Sequence, residues 1–158
     1  AKTERRMALK VGDKAPAFAL KTDGGGKVSL SGLKGRNVVL YFYPKDDTPG
    51  CTKQACEFRD LAGQFDRKNT VVLGVSRDDI ESHKGFKKKY SLNFPLLSDT
   101  DHKIHALYGA WGEKTSYGKT SVGAIRTTVL IDEQGKVLTW EKGVSPEGDA
   151  RKRLEVIR

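Results

Sequence analysis

Cys51 and Cys56 are the two cysteines of a 158-residue chain, and they stand five positions apart. A disulfide across so short a loop removes little entropy from the unfolded chain, so a structural staple explains the pair poorly. Redox chemistry of the thiols explains it better. The residues leading into the first cysteine are Pro44-Lys45-Asp46-Asp47-Thr48-Pro49-Gly50-Cys51. Thr48 suits the N-cap of a helix and Pro49 its first position. That arrangement puts Cys51 in the first helical turn, where free N–H groups and the positive end of the helix dipole favour a thiolate. The thiolate is the nucleophilic form of cysteine. Gly50 leaves the backbone open beside the sulfur. The competing reading is an inert cysteine buried at a capped helix.

Cys56 follows on the same helix. In an intact α-helix, residues five apart have Cα atoms about 8–9 Å apart, whereas a disulfide requires about 7 Å or less. The pair therefore bonds only if the helix unwinds locally. Either Cys56 is a core thiol, or the helix opens in a redox cycle so that Cys56 attacks an oxidised Cys51. Arg126 opens the segment Arg126-Thr127-Thr128-Val129-Leu130-Ile131. An arginine at a strand end holds a planar fork that suits a thiolate and the charge developing on a leaving oxygen; the alternative is a solvated edge arginine. A zinc set of Cys51, Cys56, His102 and His105 fits poorly, because the His-x₂-His spacing is tighter than usual and a long segment intervenes. No metal site is expected. His83 reads as a surface helix residue, and Asp46 with Asp47 as loop polarity. Phosphate-loop, dinucleotide and HExxH motifs are missing.

The elements that must position these residues follow from periodicity. Val38 to Tyr43 is a continuous apolar run rich in β-branched and aromatic residues, which predicts a strand buried on both faces and ended by Pro44. Phe58, Leu61, Ala62 and Phe65 mark the apolar face of the helix that carries both cysteines. Val71–Val75 and Thr127–Ile131 predict further buried strands, Val28–Leu30 and Lys136–Trp140 shorter ones, and Phe94–Leu97 a short extended piece. Asp79–Tyr90 and Asp101–Tyr108 predict helices, and Pro146–Ile157 a closing helix. Strands alternating with helices imply an α/β domain with helices on both faces of the sheet. The tight turn at Asp132–Gly135 joins two antiparallel strands, so the sheet is mixed. Active residues at strand ends are the usual arrangement in such sheets.

Composition bounds the rest. Hydrophobic residues are 37% and charged residues 31%, with 29 Lys and Arg against 20 Asp and Glu for a net charge of +9. That is a globular composition, enough for one core and unlike a disordered chain. No apolar run approaches the roughly 20 residues of a membrane helix, and no apolar stretch follows the basic start as a secretory signal would. Residues 1–8 read as a flexible lead-in and residues 9–158 as one domain. The lysines at 84, 87, 88 and 89 read as a solvated helix face, without the interleaved aromatics of a single-strand nucleic-acid platform.

The segment Tyr41-Phe42-Tyr43-Pro44-Lys45, followed by Thr48-Pro49-Gly50-Cys51-Thr52-Lys53-Gln54-Ala55-Cys56, resembles the active-site signature of peroxiredoxins, in particular the bacterioferritin comigratory protein or peroxiredoxin Q subfamily. The family pattern P-x-x-x-T-x-x-C falls on Pro44, Thr48 and Cys51. Gly12–Phe18, Phe94–Asp99, Trp111–Lys114, Tyr117–Lys119 and the strand after Arg126 extend the resemblance over residues 9 to 142. It implies a thioredoxin-like fold and a thiol peroxidase that reduces hydrogen peroxide and organic hydroperoxides without metal, haem or flavin. Cys51 aligns with the peroxidatic cysteine, whose thiolate becomes a sulfenic acid, and Cys56 with the resolving cysteine of members that keep it in the same helix. Their intramolecular disulfide would be reduced by thioredoxin or a similar dithiol. By the same resemblance Thr48 bonds the substrate, Arg126 polarises the O–O bond, Pro44 shields the sulfur and Gln54 orients the arginine. The charged closing segment, Gly143 to Arg158, matches the family only as a helix.

An intrachain pair needs no partner subunit, so a monomer is expected. Bacterial members point to the cytoplasm, with a mature organellar form as the alternative. Neither a nucleic acid nor a membrane is expected as a partner. Two rivals remain at this level. One is a disulfide reductase or redox chaperone, which lacks the usual C-x-x-C spacing. The other is a basic nucleic-acid module, whose affinity would fall steeply with salt.

Overall fold

The computed structural model describes residues 9–116 and 118–157. The lead-in expected at residues 1–8 lies outside them. In chain order the elements are β1 Ala19–Thr22, β2 Lys27–Ser29, a 3₁₀ turn at Ser31–Leu33, β3 Asn37–Phe42, α1 Pro49–Arg67, β4 Thr70–Ser76 and α2 Ile80–Tyr90. Then come β5 Leu96–Ser98, α3 Lys103–Leu107, β6 Trp111–Ser116, β7 Lys119–Ala124, β8 Thr127–Ile131, β9 Val137–Lys142 and α4 Asp149–Val156. Seven strands form one sheet in the order β2-β1-β5-β4-β3-β8-β9, and β6 with β7 makes a separate hairpin. The central β3, β4 and β5 are parallel, while β1 and β2 on one side and β8 and β9 on the other run antiparallel. This is the expected mixed sheet of a thioredoxin-like α/β fold.

The alternation of side chains along β3 divides the core. Val39, Tyr41 and Tyr43 face a layer that includes Cys51, Ala55, Phe58 and Phe65 of α1, Phe86 of α2 and Leu154 of α4. Val38, Leu40 and Phe42 face the opposite layer, with Phe18, Tyr108 and Val137, and Ile104 of α3 against it. Helices thus cover both faces, three on one and the short α3 on the other. Tyr41 stacks on Phe58 with ring centroids 4.6 Å apart, and Phe58 meets Phe65 at 5.8 Å. These contacts fix the cysteine helix over the strand that feeds it. Replacing the fully buried Phe58 by alanine would cost about 3–5 kcal/mol and loosen that seat. Gly74 of β4 fits closely beneath the same stack: a Cβ there would lie 3.1 Å from both the Tyr41 ring and Leu96, and these would have to give way.

The structure departs from expectation in several elements. The closing helix begins at Asp149, not at Pro146. Gly148 takes a left-handed φ of 86° before it and donates its N–H to Glu57 Oε1 at 2.8 Å, so the chain turns before it coils. Strand β1 and the β6–β7 hairpin were not expected. Their residues are half-exposed or exposed along much of their length, so they lack the apolar signature of the buried strands. His83 is fully buried rather than on the surface.

Candidate active site

Strand β3 delivers the chain to Pro44, a half-buried residue, and α1 begins at Pro49. Thr48 occupies the N-cap as expected, and its carbonyl accepts the first helical bond from the Thr52 N–H at 2.8 Å. Its side chain does not cap. The hydroxyl instead donates to the Lys45 carbonyl at 2.9 Å, which commits its proton and leaves the oxygen lone pairs available as acceptors. Cys51 falls in the first turn and is 1% exposed, with a free thiol.

Arg126 meets this sulfur. It lies just before β8 rather than within it, and its carbonyl accepts N–H bonds from Gly143 and Val144. Its Nη2 donates to Cys51 Sγ at 3.3 Å and its Nη1 to Gln54 Oε1 at 2.6 Å. The guanidinium passes over Gly50, where an added Cβ would stand 3.2 Å from Nη2 and 3.4 Å from Pro146. Gly50 therefore leaves room for the cation, a more specific reason than an open backbone. The solvated-edge reading of Arg126 does not hold.

The structure brings Cys51, Arg126, Gln54 and Gly50 together, with Thr48 at the cap before them. Cys56 lies on the second turn, half-buried, also with a free thiol. The helix runs unbroken through both cysteines. The phenol of Tyr41 belongs to the same layer. Burial, reinforced by Cys51 and Asp46, pushes it well above the ordinary tyrosine value, so it stays neutral. Among the described residues its hydroxyl has no hydrogen-bond partner.

The loop before Cys51 is anchored from below by residues read differently in the sequence. Asp46 is buried rather than a polar loop residue. It accepts bonds from Tyr43 Oη at 2.5 Å and Ser82 Oγ at 2.8 Å, and lies 2.7 Å from His83 Nδ1. The other ring nitrogen of His83 is 2.9 Å from the Leu97 carbonyl. Burial alone would depress the His83 pKa. The bond to Asp46, its charge and the carbonyl outweigh that, and the net shift is upward. With an acceptor at each nitrogen, the imidazolium is the favoured form. Asp47 is exposed and pairs with Lys89 Nζ at 2.9 Å and Tyr90 Oη at 2.9 Å. Helix α2 thus holds two successive residues of the loop.

Beyond Gln54 lies a second group that sequence reasoning missed. Gln54 Nε2 donates to Asp149 Oδ2 at 3.0 Å. Asp149 also accepts from Thr128 Oγ1 at 2.6 Å and from Arg153, and Arg153 reaches Glu141 at 2.7 Å. The i,i+4 spacing of Asp149 and Arg153 was a visible helix-pair signal. The helical register of His83 with Phe86 and Tyr90 likewise marked His83 as inward-facing. Among the described residues no group of three or more His, Cys, Asp or Glu is placed to hold a metal. The imagined zinc set is not assembled: Cys51 packs in the α1 layer, whereas His105 and His102 pack around Trp111. No described helix is long and apolar enough to cross a membrane.

Residues 11–139 match the model of the AhpC/TSA family. The chain is a peroxiredoxin of that family. It is 52% identical over 137 residues to a Coxiella burnetii protein assigned to the bcp peroxiredoxins, covering 86% of this chain and 91% of that one. It is 46% identical over 152 residues to peroxiredoxin Bcp of Bacillus subtilis, covering 96% and 97%. The structure of the Xanthomonas campestris bacterioferritin comigratory protein superposes with a TM-score of 0.84 at 36% identity, covering 89% of each chain. The resemblance to the bacterioferritin comigratory and peroxiredoxin Q branch thus stands on whole-chain similarity and not on one motif.

Proposed function

We propose that this peroxiredoxin reduces hydrogen peroxide and alkyl hydroperoxides at Cys51 and resolves the product through Cys56. The observation that carries the proposal is the Arg126 guanidinium donating to a sulfur held in the first turn of a helix. Alkyl peroxide reduction is the activity described for the Xanthomonas campestris relative, which supports the same substrate class here.

The geometry supports the following chemistry. The Cys51 thiolate attacks the nearer oxygen of ROOH, the O–O bond breaks, and a proton converts the departing RO⁻ to ROH. The sulfur becomes a sulfenic acid. Arg126 lies where it stabilises both the thiolate and the negative charge growing on the departing oxygen. Thr48 has spent its proton on Lys45 and so accepts the hydrogen of the hydroperoxide, which aligns the O–O bond. Pro44, half-buried in the chain between β3 and α1, takes the role the family pattern implies for it and limits water at the sulfur.

Cys56 then attacks the sulfenic sulfur. An S–S bond forms and water leaves. In the folded helix these sulfurs cannot meet, for the reason the Cα spacing gave above, so α1 must unwind between Cys51 and Cys56 in each cycle. A dithiol such as thioredoxin restores both thiols by exchange. Because the pair is intrachain, the cycle needs one copy of the chain, which supports a monomer. The bacterial relatives support a cytoplasmic setting, with an organellar one as the alternative.

One equivalent of hydrogen peroxide added to the reduced protein tests this. Both thiols should disappear together, faster than free cysteine reacts, and the intact mass should fall by two hydrogens. Slow oxidation, or a mass gain that never converts to the disulfide, would overturn the cycle.

A further inference from the structure

The buried chain of polar groups behind Gln54 has a feature that the peroxidase chemistry alone does not require. Gln54 is 0% exposed, Asp149 3% and Arg153 2%. Arg153 is among the largest fully buried side chains, and a buried guanidinium is costly unless it is paired. Here it donates Nε and Nη2 to Asp149 Oδ1 at 3.0 and 2.9 Å, and Nη2 also to Glu141 Oε1. The remaining Asp149 oxygen, Oδ2, takes Gln54 Nε2 and Thr128 Oγ1.

This fixes the direction of an amide. A glutamine amide has a donor end and an acceptor end. With the donor end on a carboxylate, which accepts only, the carbonyl end must point at Arg126. A flipped amide would set NH₂ against the guanidinium and C=O against the carboxylate, two repulsive contacts in a dry site. Gln54 therefore presents a lone pair to Arg126 Nη1 because Asp149 stands behind it.

Gln54 also lies between the two cysteines on α1. Residues 51–56 cannot leave the helix while Gln54 keeps its bonds to Arg126 and Asp149. Building on the peroxidase reading above, we propose that Asp149 of α4 is a positioning residue with two linked effects: it orients Gln54 and thereby Arg126 for the attack on peroxide, and it latches α1 against the unwinding that lets Cys56 reach Cys51. The first effect speeds formation of the sulfenic acid. The second prolongs its lifetime, and with it the interval in which a second peroxide can over-oxidise Cys51.

Asp149→Asn is nearly isosteric and tests both halves. Its single acceptor oxygen can serve Arg153 or the Gln54–Thr128 side, and its NH₂ then opposes a donor on the other side. The rate of sulfenic acid formation should fall about tenfold, the order expected for one lost bond to a charged partner. The rate of disulfide formation from the sulfenic acid should rise several-fold. A contact that served only to seat α4 would lower the melting temperature and move neither step.

The double variant Gln54→Glu with Asp149→Asn restores the pattern with polarity exchanged. The new glutamate accepts from Arg126 and from the asparagine NH₂. That NH₂ also faces Thr128, and the asparagine oxygen serves Arg153. Both rates should return toward those of the unmodified protein. If Asp149→Asn leaves both rates unchanged, or slows both and the double variant brings no rescue, the proposal fails.

Amide hydrogen exchange on the reduced proteins, with no peroxide present, separates this from failure of the peroxidase reading. Asp149→Asn should speed exchange about tenfold across residues 52–56 and leave β3 and β4 unchanged. The same exchange in variant and unmodified protein would remove the latch, whatever the peroxidase assay shows.

Discussion

Cys51 and Cys56 sit about 1.4 turns apart on the same helix, and they have been given opposite surroundings. Cys51 is buried at the helix N-terminus, with a guanidinium on its sulfur, a glycine cleared for that guanidinium, and a loop tied down through Asp46 and Asp47. Cys56 is half-buried in the helix interior. Among the described residues no side chain donates to its sulfur, and Arg59, three residues further on, interacts with it only through space. On the proposed cycle, placement and not residue type separates a thiol prepared to attack a peroxide from one that must be delivered to its target by unwinding. A rigid setting suits the first task and an openable one the second, and α1 supplies both within its first two turns.

The comparison is broken most severely at Cys51. Cys51→Ser should abolish peroxide consumption in a coupled dithiol assay, with Cys56 unable to substitute. Measurable turnover in that variant would mean that the surroundings of Cys51 do not select the nucleophile. Cys56→Ser should also stop steady-state cycling with thioredoxin, but by a different route. A single turnover should still give stoichiometric sulfenic acid, trapped by dimedone and seen by mass, at close to the unmodified rate. Between them the two variants assign one step to each cysteine.

Arg126→Ala should slow the single-turnover oxidation at least tenfold, in line with losing a donor to developing charge, while resolution by Cys56 proceeds. Stopped-flow mixing with peroxide reads the first step directly. A smaller loss is expected from Gly50→Ala. The new methyl would stand 3.2 Å from Arg126 Nη2 and push the guanidinium off the sulfur, so oxidation should slow several-fold, with an unchanged melting profile locating the fault in the site.

What could be read from the sequence follows the same division. The turn of α1 that holds Cys51 was legible because it is local: a cap, a proline, a glycine and a cysteine in consecutive positions say where the thiol lies. Arg126 was legible as a candidate only, since its distance from Cys51 depends on the antiparallel pairing of β3 with β8. The buried strands announced themselves by apolar runs. Strand β1 and the β6–β7 hairpin did not, because an edge or exposed strand needs no apolar face. Asp46 and His83 were misread, and Asp149 and Arg153 passed over, for one shared reason. Charged and imidazole side chains read as surface until their partners are known, and the partners lie on other elements, 37 residues away for His83 and Asp46 and 95 for Gln54 and Asp149. The charged closing segment, read only as a helix, contributes its acid and its arginine to the interior behind the site.

The smallest expected effect concerns the loop that fixes Cys51 from below. His83 is drawn down by burial, but the bonds to Asp46 and the Leu97 carbonyl raise its pKa above the ordinary imidazole value. A group whose folded pKa is raised binds its proton more tightly in the native state than in the unfolded one. Its contribution to stability is therefore complete below the unfolded value near 6.5 and is lost as pH climbs through the raised folded value. Urea midpoints should fall with rising pH over that interval, and His83→Gln should abolish that part of the slope, because a glutamine does not titrate. Of the two cysteines the loss bears on Cys51, since Asp46 holds the loop that enters its turn. Deprotonation should thus slow the reaction of Cys51 with peroxide slightly and leave the disulfide-forming step of Cys56 unmoved. An equal pH response of both steps, after correction for thiol ionisation, would mean that the anchor serves the whole helix and that the two cysteines are not held independently.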